Sequence, residues 1–372
     1  MSLYVGLISG TSMDGIDAAL LEIKQDSIQI IDFHTFGYSE NLVTQLNLAI
    51  LPDYQCSLHE IATLDSQVGI EFARAANALL EKNKLNPKDI SAIGSHGQTL
   101  RHSPDTSPPY TLQIGSGAVI CSRTKITTVC DFRSQDVAAG GEGAPLVPPF
   151  HEAVFRTQDL DRFVLNVGGI ANISVLPKDP KQPIQGFDTG PGNCLMDVWC
   201  QKHLGRAYDN NGEWAASGRP IPELLDELLK DSYIQKPAPK STGREYFNLD
   251  YIEKVLKTLP VSNTKPEDVQ ATLLNFTVRS IALGINQSEI TPSEIILCGG
   301  GARNLSLLKA LRDQFSEYKI SEMNRYGVDG DAIEAAAFAW LAHRQVQGIA
   351  TELPASRSKC AFVLGARYSS QS

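Results

Sequence analysis

A strand, a glycine turn and a second strand open this chain, and the same plan returns near its middle. Leu3, Val5, Leu7 and Ile8 run into Gly10, Thr11, Ser12, Asp14 and Gly15, after which Ile16, Ala18, Leu20 and Ile23 resume the apolar pattern. A polar turn at Lys24 then leads to a third run through Ile28, Ile30 and Phe33. Residues 162–188 repeat this order, with a strand from Arg162, a turn at Gly168 and Gly169, a second strand, a polar turn and a third strand ending near Asp188. Two copies of one supersecondary unit predict a duplicated α/β domain whose turns face each other across an interdomain cleft. A length of 372 residues suits two domains, each large enough to bury its own core.

The turns suggest what such a cleft would hold. Gly10 and Gly15 allow several backbone N–H groups to turn towards one anion, and the hydroxyls of Thr11 and Ser12 add donors. A carboxylate beside a polyphosphate repels it unless a cation stands between them, so Asp14 points to magnesium. A lone turn of this composition would equally suit an ordinary hairpin. Its recurrence favours phosphate.

Charge and hydropathy exclude other classes. A net charge of -9 without a dense basic run argues against nucleic-acid and anionic-membrane partners. The apolar run at 335–342, bounded by Glu334 and His343, falls far short of the roughly 20 residues that span a bilayer. The N-terminus lacks a basic region and a cleavable apolar core, so a cytoplasmic protein is expected. Seven cysteines without a CxxC pair read as reduced, mostly buried thiols.

Along the chain, Leu58, Ile61, Leu64, Val68, Phe72, Ala75 and Leu79 share a face of a predicted helix over 57–82. A strand at Ile90–Ile93 delivers His96 and Gln98 to its C-terminal edge, where open α/β sheets bind ligands. The glycines and prolines of 134–151 predict neither helix nor central strand, and they surround Gln135, Asp136 and Glu142. Asp188 is expected at a strand end, followed by a helix start whose N–H groups favour an anion. The Arg244 fork suits a substrate carboxylate, with Lys240 beside it. Gly299, Gly300 and Gly301 follow a strand and precede a helix from near Asn304, and Glu334 opens a late helix rich in alanine.

Seven motifs in order, GTSMDGID, SHGQTLRH, GGEGAPLVPPFH, NVGGIAN, FDTGPGN, PAPKSTGREYFN and CGGGARN, resemble those of the anhydro-N-acetylmuramic acid kinases, in the sugar kinase and actin superfamily. The resemblance covers nearly the whole chain. It implies two duplicated ribonuclease-H-like domains, here expected at 1–133 plus about 350–372 and at 134–349. It implies ATP and Mg2+ as cofactors, an anhydro amino sugar as substrate, and a homodimer.

By the same resemblance, phosphate contacts fall to Gly10, Thr11, Ser12, Met13, Asp14, Gly15, Ile16 and Asp17 in the first turn, and to Asn166, Gly168 and Gly169 in the second. The Gly299–Gly301 turn and Asn304 are expected at the adenosine, and His96, Gln98, Glu142, Gly143, Asp188, Lys240 and Arg244 at the sugar. Asp188 is the implied catalytic base and Glu334 a second catalytic candidate, with Asp14 on the metal. In several superfamily members an aspartate ends the first strand of each half, where this chain has Ser9 and Asn166. Two alternatives remain open at this point. One is a conventional sugar kinase, with Asp188 deprotonating a free hydroxyl, and the other is a non-enzymatic nucleotide switch.

Overall fold

The computed structural model describes residues 2–10, 13, 15–25, 27–51, 54–259, 264–354 and 357–370. It divides into two units, Met1–Phe150 with Gly327–Ser372, and His151–Tyr326. The first is built on β1 (Ser2–Ser9), β2 (Ile16–Lys24), β3 (Ser27–Phe36), β4 (Ile90–Ser103), β5 (Tyr110–Ile114) and β6 (Thr128–Cys130). Its central order is β6-β4-β1-β2-β3, with β5 paired to β4 and the strand Ala366–Tyr368 added beyond β6. β4 is parallel to β1 and β6, whereas β2 and β3 continue antiparallel.

The second unit has β7 (Arg162–Val167), β8 (Ile170–Leu176), β9 (Gln185–Pro191), β10 (Glu294–Cys298) and β11 (Lys319–Glu322) in the order β11-β10-β7-β8-β9. Its strand senses match the first sheet pair for pair. The duplication read from the two strand triplets is therefore present as two ribonuclease-H-like sheets of identical order.

Each sheet carries a long helix. Leu58–Lys82 begins with a reciprocal cap, in which Ser57 Oγ accepts from the Glu60 N–H and Glu60 Oε2 accepts from the Ser57 N–H. Its Leu64, Val68, Phe72 and Leu79 pack with Val5, Leu7, Leu20 and Ile93. In the second unit Pro266–Asn286 brings Val269, Leu273, Phe276 and Ile281 against Phe163, Leu165, Phe187 and Ile295. Each such side chain, fully buried, contributes about 1.5–3 kcal/mol.

Four expectations are corrected. The helix Ile333–Val346, assigned to the second domain from sequence, belongs to the first unit. A Cβ on Gly6 would lie 1.8 Å from the Ala335 carbonyl oxygen, and one on Gly94 would lie 1.9 Å from that of Phe338. Gly6 and Gly94 are register partners in β1 and β4, so together they clear a track on which this helix rests against bare backbone. The domain boundaries accordingly fall at 150/151 and 326/327.

The 134–151 segment contains two helices, Ser134–Ala138 and the start of Pro148–Phe155, because proline fits the first turn of a helix and does not break it there. β4 runs through the SHGQT motif instead of ending before it. Gly97, at φ 77°, is where the strand bends, and Gln98 pairs with both Ser9 of β1 and Ile114 of β5. Asp188 lies inside β9, opposite Asn172 at an irregularity in register, and not at a strand end. Among the described residues no helix is long and apolar enough to cross a membrane.

Candidate active site

In the first unit, charged groups from several elements gather around His96, which lies within β4. His96 is 7% exposed, with Nδ1 3.1 Å from the Gly97 carbonyl oxygen and Nε2 3.0 Å from Arg133 Nε. A guanidinium only donates, so Nε2 accepts and Nδ1 carries the hydrogen that Gly97 receives. Burial, then the Arg133 charge, hold this imidazole well below its ordinary range, so it stays neutral. Arg133 Nη1 also donates to the Gly143 carbonyl at 2.7 Å, and burial pulls its pKa down to about 10. Glu334, in the first turn of its helix, is pushed up by burial and then by the Asp17 charge, with Arg133 opposing. Asp17 is held from β3 by the Thr35 hydroxyl at 2.6 Å.

The structure therefore brings together His96, Gly143, Glu334 and Asp17, and adds Arg133, which sequence reasoning missed. Its signal was an arginine ending the apolar run ITTVCDFR. Gln98 is nearly fully buried; its Nε2 donates to the Thr99 carbonyl at 3.3 Å and its Oε1 has no partner among the described residues. Thr11, Ser12 and Asp14 lie outside the described residues. Within the same turn Met13 N–H donates to the Gly10 carbonyl at 3.2 Å. The Met13 and Ile16 side chains belong to the core, so only their main chains remain for a ligand. A Cβ on Gly15 would meet Thr35 and Phe36 at 2.8 Å, so packing against β3 already demands glycine there.

In the second unit Asp188 is held on three sides. Its Oδ2 accepts from the Ser241 hydroxyl at 2.9 Å and from the Thr242 N–H at 3.0 Å. Its main-chain N–H donates to the Lys240 carbonyl at 2.9 Å, and its carbonyl accepts from the Tyr233 hydroxyl at 2.9 Å. Oδ1 has no hydrogen-bond partner among the described residues. Burial raises the carboxyl to about 6 against the two hydrogen bonds that favour its charge. One oxygen is thus fixed and the other is open, on a group that ionises just below neutrality.

Around the second turn, the Gly192 and Cys194 N–H groups donate to the Gly169 carbonyl at 2.9 and 3.1 Å, and the Asn193 N–H to that of Gly168 at 2.8 Å. These bonds tie the turn to the start of the helix Cys194–Leu204. A Cβ on Gly169 would lie 2.5 Å from Arg244 Nε, whereas one on Gly168 would meet nothing closer than 3.5 Å. Arg244 therefore lies over the Gly-Gly turn. Asn166 Oδ1 sits where a Cβ on Gly299 would be, at 2.2 Å, and Gly300 is open, with Asn193 Nδ2 nearest at 3.9 Å. Asn166, Gly168, Gly169, Gly299 and Gly300 thus form one neighbourhood of bare backbone and amide.

Three sequence expectations meet a different geometry. Lys240 is 5% exposed and its ammonium donates to the Tyr233 and Ile234 carbonyls at 3.1 and 2.8 Å, so it braces the turn behind Asp188 and does not face a substrate carboxylate. Asn304 Oδ1 accepts from the Leu307 N–H at 3.0 Å, which makes it the N-cap of Leu305–Gln314. Glu142 is paired with Arg357. Among the described residues no group of three His, Cys, Asp or Glu side chains forms a metal site.

Relatives with the name anhydro-N-acetylmuramic acid kinase match the chain almost end to end. That of Aliivibrio fischeri is 44% identical over 355 residues, covering 95% of each chain. That of Photobacterium profundum is 45% identical over 358 residues, covering 94% of each. That of Haemophilus influenzae is 43% identical over 375 residues, covering 98% of this chain and 97% of its own. The family model described as anhydro-N-acetylmuramic acid kinase matches residues 2–370, and the chain belongs to that family.

Proposed function

We propose that this chain converts 1,6-anhydro-N-acetylmuramic acid, ATP and water to N-acetylmuramic acid 6-phosphate and ADP, in the recycling of cell-wall sugars. Family membership supports the kinase activity. The observation that carries the mechanism is Asp188, with Oδ2 fixed by Ser241 and Thr242, Oδ1 open, and a pKa of about 6. Such a carboxylate is ionised at neutral pH and remains basic enough to take a proton from water.

In this reading Asp188 Oδ1 removes one proton from a water whose oxygen bonds to C1 of the sugar. The C1–O6 bridge breaks, and the freed O6 takes the γ-phosphoryl group, so no second proton is needed at O6. One proton leaves through Asp188. In the first unit Glu334, which holds its proton more tightly than an ordinary glutamate, forms with Arg133 and His96 a second candidate group for contacts to the substrate.

The phosphates are assigned to the bare backbone at Gly168 and Gly300, to Arg244 over Gly169, and to the 10–17 turn. Asp14 is the residue that would hold Mg2+, which would supply counter-charge to the phosphates. Exclusion of bulk water at the phosphates would prevent wasteful hydrolysis. A cytoplasmic homodimer without nucleic-acid or membrane partners completes the reading, and sedimentation of the purified protein tests the dimer.

Asp188→Asn keeps the shape and removes the base. It is expected to fold, bind both substrates and lose roughly 100-fold or more in turnover. In heavy-oxygen water the wild type should place label at C1 and leave O6 unlabelled, when product is analysed before the anomeric centre exchanges. Label at O6, or an Asp188→Asn enzyme of near-normal rate, overturns the mechanism; a kinase acting on an already open sugar would incorporate none during turnover.

A further inference from the structure

The segment after residue 350 carries no recognisable motif, yet it reaches the loop assigned to the sugar. Thr351–Glu352 pairs antiparallel with Ala361–Phe362, and Arg357 and Ser358 lie in the tip of this short hairpin. Its stem is anchored where Arg344 Nε donates to the Thr351 hydroxyl at 2.7 Å, on the same helix that carries Glu334 at its other end.

At the tip, the Arg357 main-chain N–H donates to Glu142 Oε2 at 2.9 Å and Arg357 Nε meets Glu142 Oε1. Its Nη2 reaches Asp105 Oδ1 at 2.7 Å. Ser358 Oγ donates to Asp136 Oδ1 at 2.7 Å, while Asp136 Oδ2 accepts from the Gly143 N–H, also at 2.7 Å. The Gly143 carbonyl is the one that Arg133 grips. One residue, Gly143, is therefore held at its N–H through Asp136 and Ser358 and at its C=O through Arg133 and His96, so both peptide groups that flank its Cα are fixed. Gly143 has φ 64°, and a Cβ there would meet Val137 Cγ2 at 2.7 Å, so any larger residue would strain the pinned conformation.

Stability does not account for the Arg357 pairs. Arg357 is more than half exposed, and exposed ion pairs of this kind contribute about 0–1 kcal/mol. Position does. A loop rich in glycine loses its single geometry when its tethers go, and misplacement of about 1 Å at a binding loop is enough to weaken recognition severely.

We propose that the hairpin tip sets the position of the 134–143 loop for sugar recognition, with Arg357 and Ser358 as positioning residues that act through Glu142 and Asp136. This rests on the proposed reaction and on the expectation, from the family resemblance, that Glu142 and Gly143 of that loop lie at its sugar.

The test compares steady-state kinetics for the anhydro sugar and for ATP in Arg357→Ala, Ser358→Ala, Glu142→Gln and Arg357→Lys, alongside thermal melting. Arg357→Ala is expected to raise KM for the sugar by roughly three- to tenfold, with kcat within about twofold and KM for ATP unchanged. Ser358→Ala should do the same to a smaller degree, and Arg357→Lys should recover part of the loss because the ammonium still faces both carboxylates. Arg357→Ala and Glu142→Gln both break the side-chain ion pair, so their losses in the double variant should sum to less than the two single losses added together.

Gly143→Ala separates the two levels of the argument. If it raises the sugar KM while Arg357→Ala and Ser358→Ala do not, the loop serves the sugar without the hairpin and the proposal is wrong. If a folded Gly143→Ala leaves the sugar KM untouched, the assignment of the loop to the sugar fails and the proposal with it. Equal losses for both substrates, tracking a lower melting temperature, would make the tip a structural tether only.

Discussion

Asp188 shows what a single residue's environment can do. Burial raises its carboxyl from the ordinary aspartate range to about 6, and Ser241 and Thr242 stop the rise from going further. A base must be deprotonated to act, so kcat is expected to climb with pH through a midpoint near 6 and fall about tenfold per unit below it. Ser241→Ala removes a donor to the charged form and should move that limb to higher pH. A limb that does not move, or that lies near 4, would assign it to another group. The same shift has a sign for stability. With the folded value above the unfolded 3.8, the ionised carboxylate is a cost to the fold that is absent below 3.8 and complete above about 6. Asp188→Asn should therefore melt no lower than the wild type at neutral pH. At this scale the sequence points to His96, Asp188 and Glu334 because each sits in a motif or begins a helix pattern. Lys240 was misread because a lysine in a polar run looks solvated, and only the folded turn shows its ammonium on two carbonyls. Arg133 and Ser241 were missed for the same reason, since each acquires its role through a partner 37 or 53 positions away.

At the scale of elements, alternation made the two strand triplets readable, and their order in both sheets follows that reading. What could not be read was which sheet the alanine-rich helix Ile333–Val346 would cover. Its complement is a pair of glycines on strands far apart in sequence, and Gly6 and Gly94 become one track only when β1 and β4 pair in register. The helix in turn sets part of the site, because Phe338 packs on the His96 ring with centroids 4.7 Å apart and Glu334 lies one turn earlier. Gly94→Ala would place a Cβ against backbone that cannot rotate away, so the helix must lift. A loss on the order of 2 kcal/mol or more is expected, together with reduced turnover as Glu334 and His96 move. Gly37→Ala is the control, because a Cβ there meets nothing within 4 Å. Equal melting temperatures for the two variants would show that the close approach carries no weight.

At the scale of the whole molecule the two units differ in how the chain builds them. The first needs both ends of the sequence, since the strand Ala366–Tyr368 completes its sheet beside β6 and the Ile333–Val346 helix covers β1 and β4. The second is one continuous segment, His151–Tyr326, with a core drawn wholly from within it, including Phe163, Leu165, Trp199, Phe247, Phe276 and Leu297. It also contains its own buried charge network. Glu294 is fully buried at the start of β10, 2.9 Å from Arg162 Nε and 2.7 Å from both Lys319 Nζ and the Ser321 hydroxyl. Burial opposes its charge, but the hydrogen bonds from Lys319, Tyr326 and Ser321 and the Arg162 charge outweigh it, and the carboxyl is drawn down to about 2. A folded value below the unfolded 4.5 contributes stability that is complete above 4.5 and is lost as pH falls towards 2. That contribution is on the order of 3 kcal/mol. The segment 151–326 expressed alone is therefore expected to unfold cooperatively, with a near-ultraviolet signal from packed Trp199 and Trp214, and to lose stability steeply between pH 4.5 and 2. Glu294→Gln should lower its melting temperature at pH 7 and flatten that acid dependence, because the neutral amide leaves Arg162 and Lys319 without their counter-charge. A segment that binds hydrophobic dye and melts without a transition would show that the second unit depends on the first, and an acid dependence unchanged by Glu294→Gln would move the cause to other carboxylates.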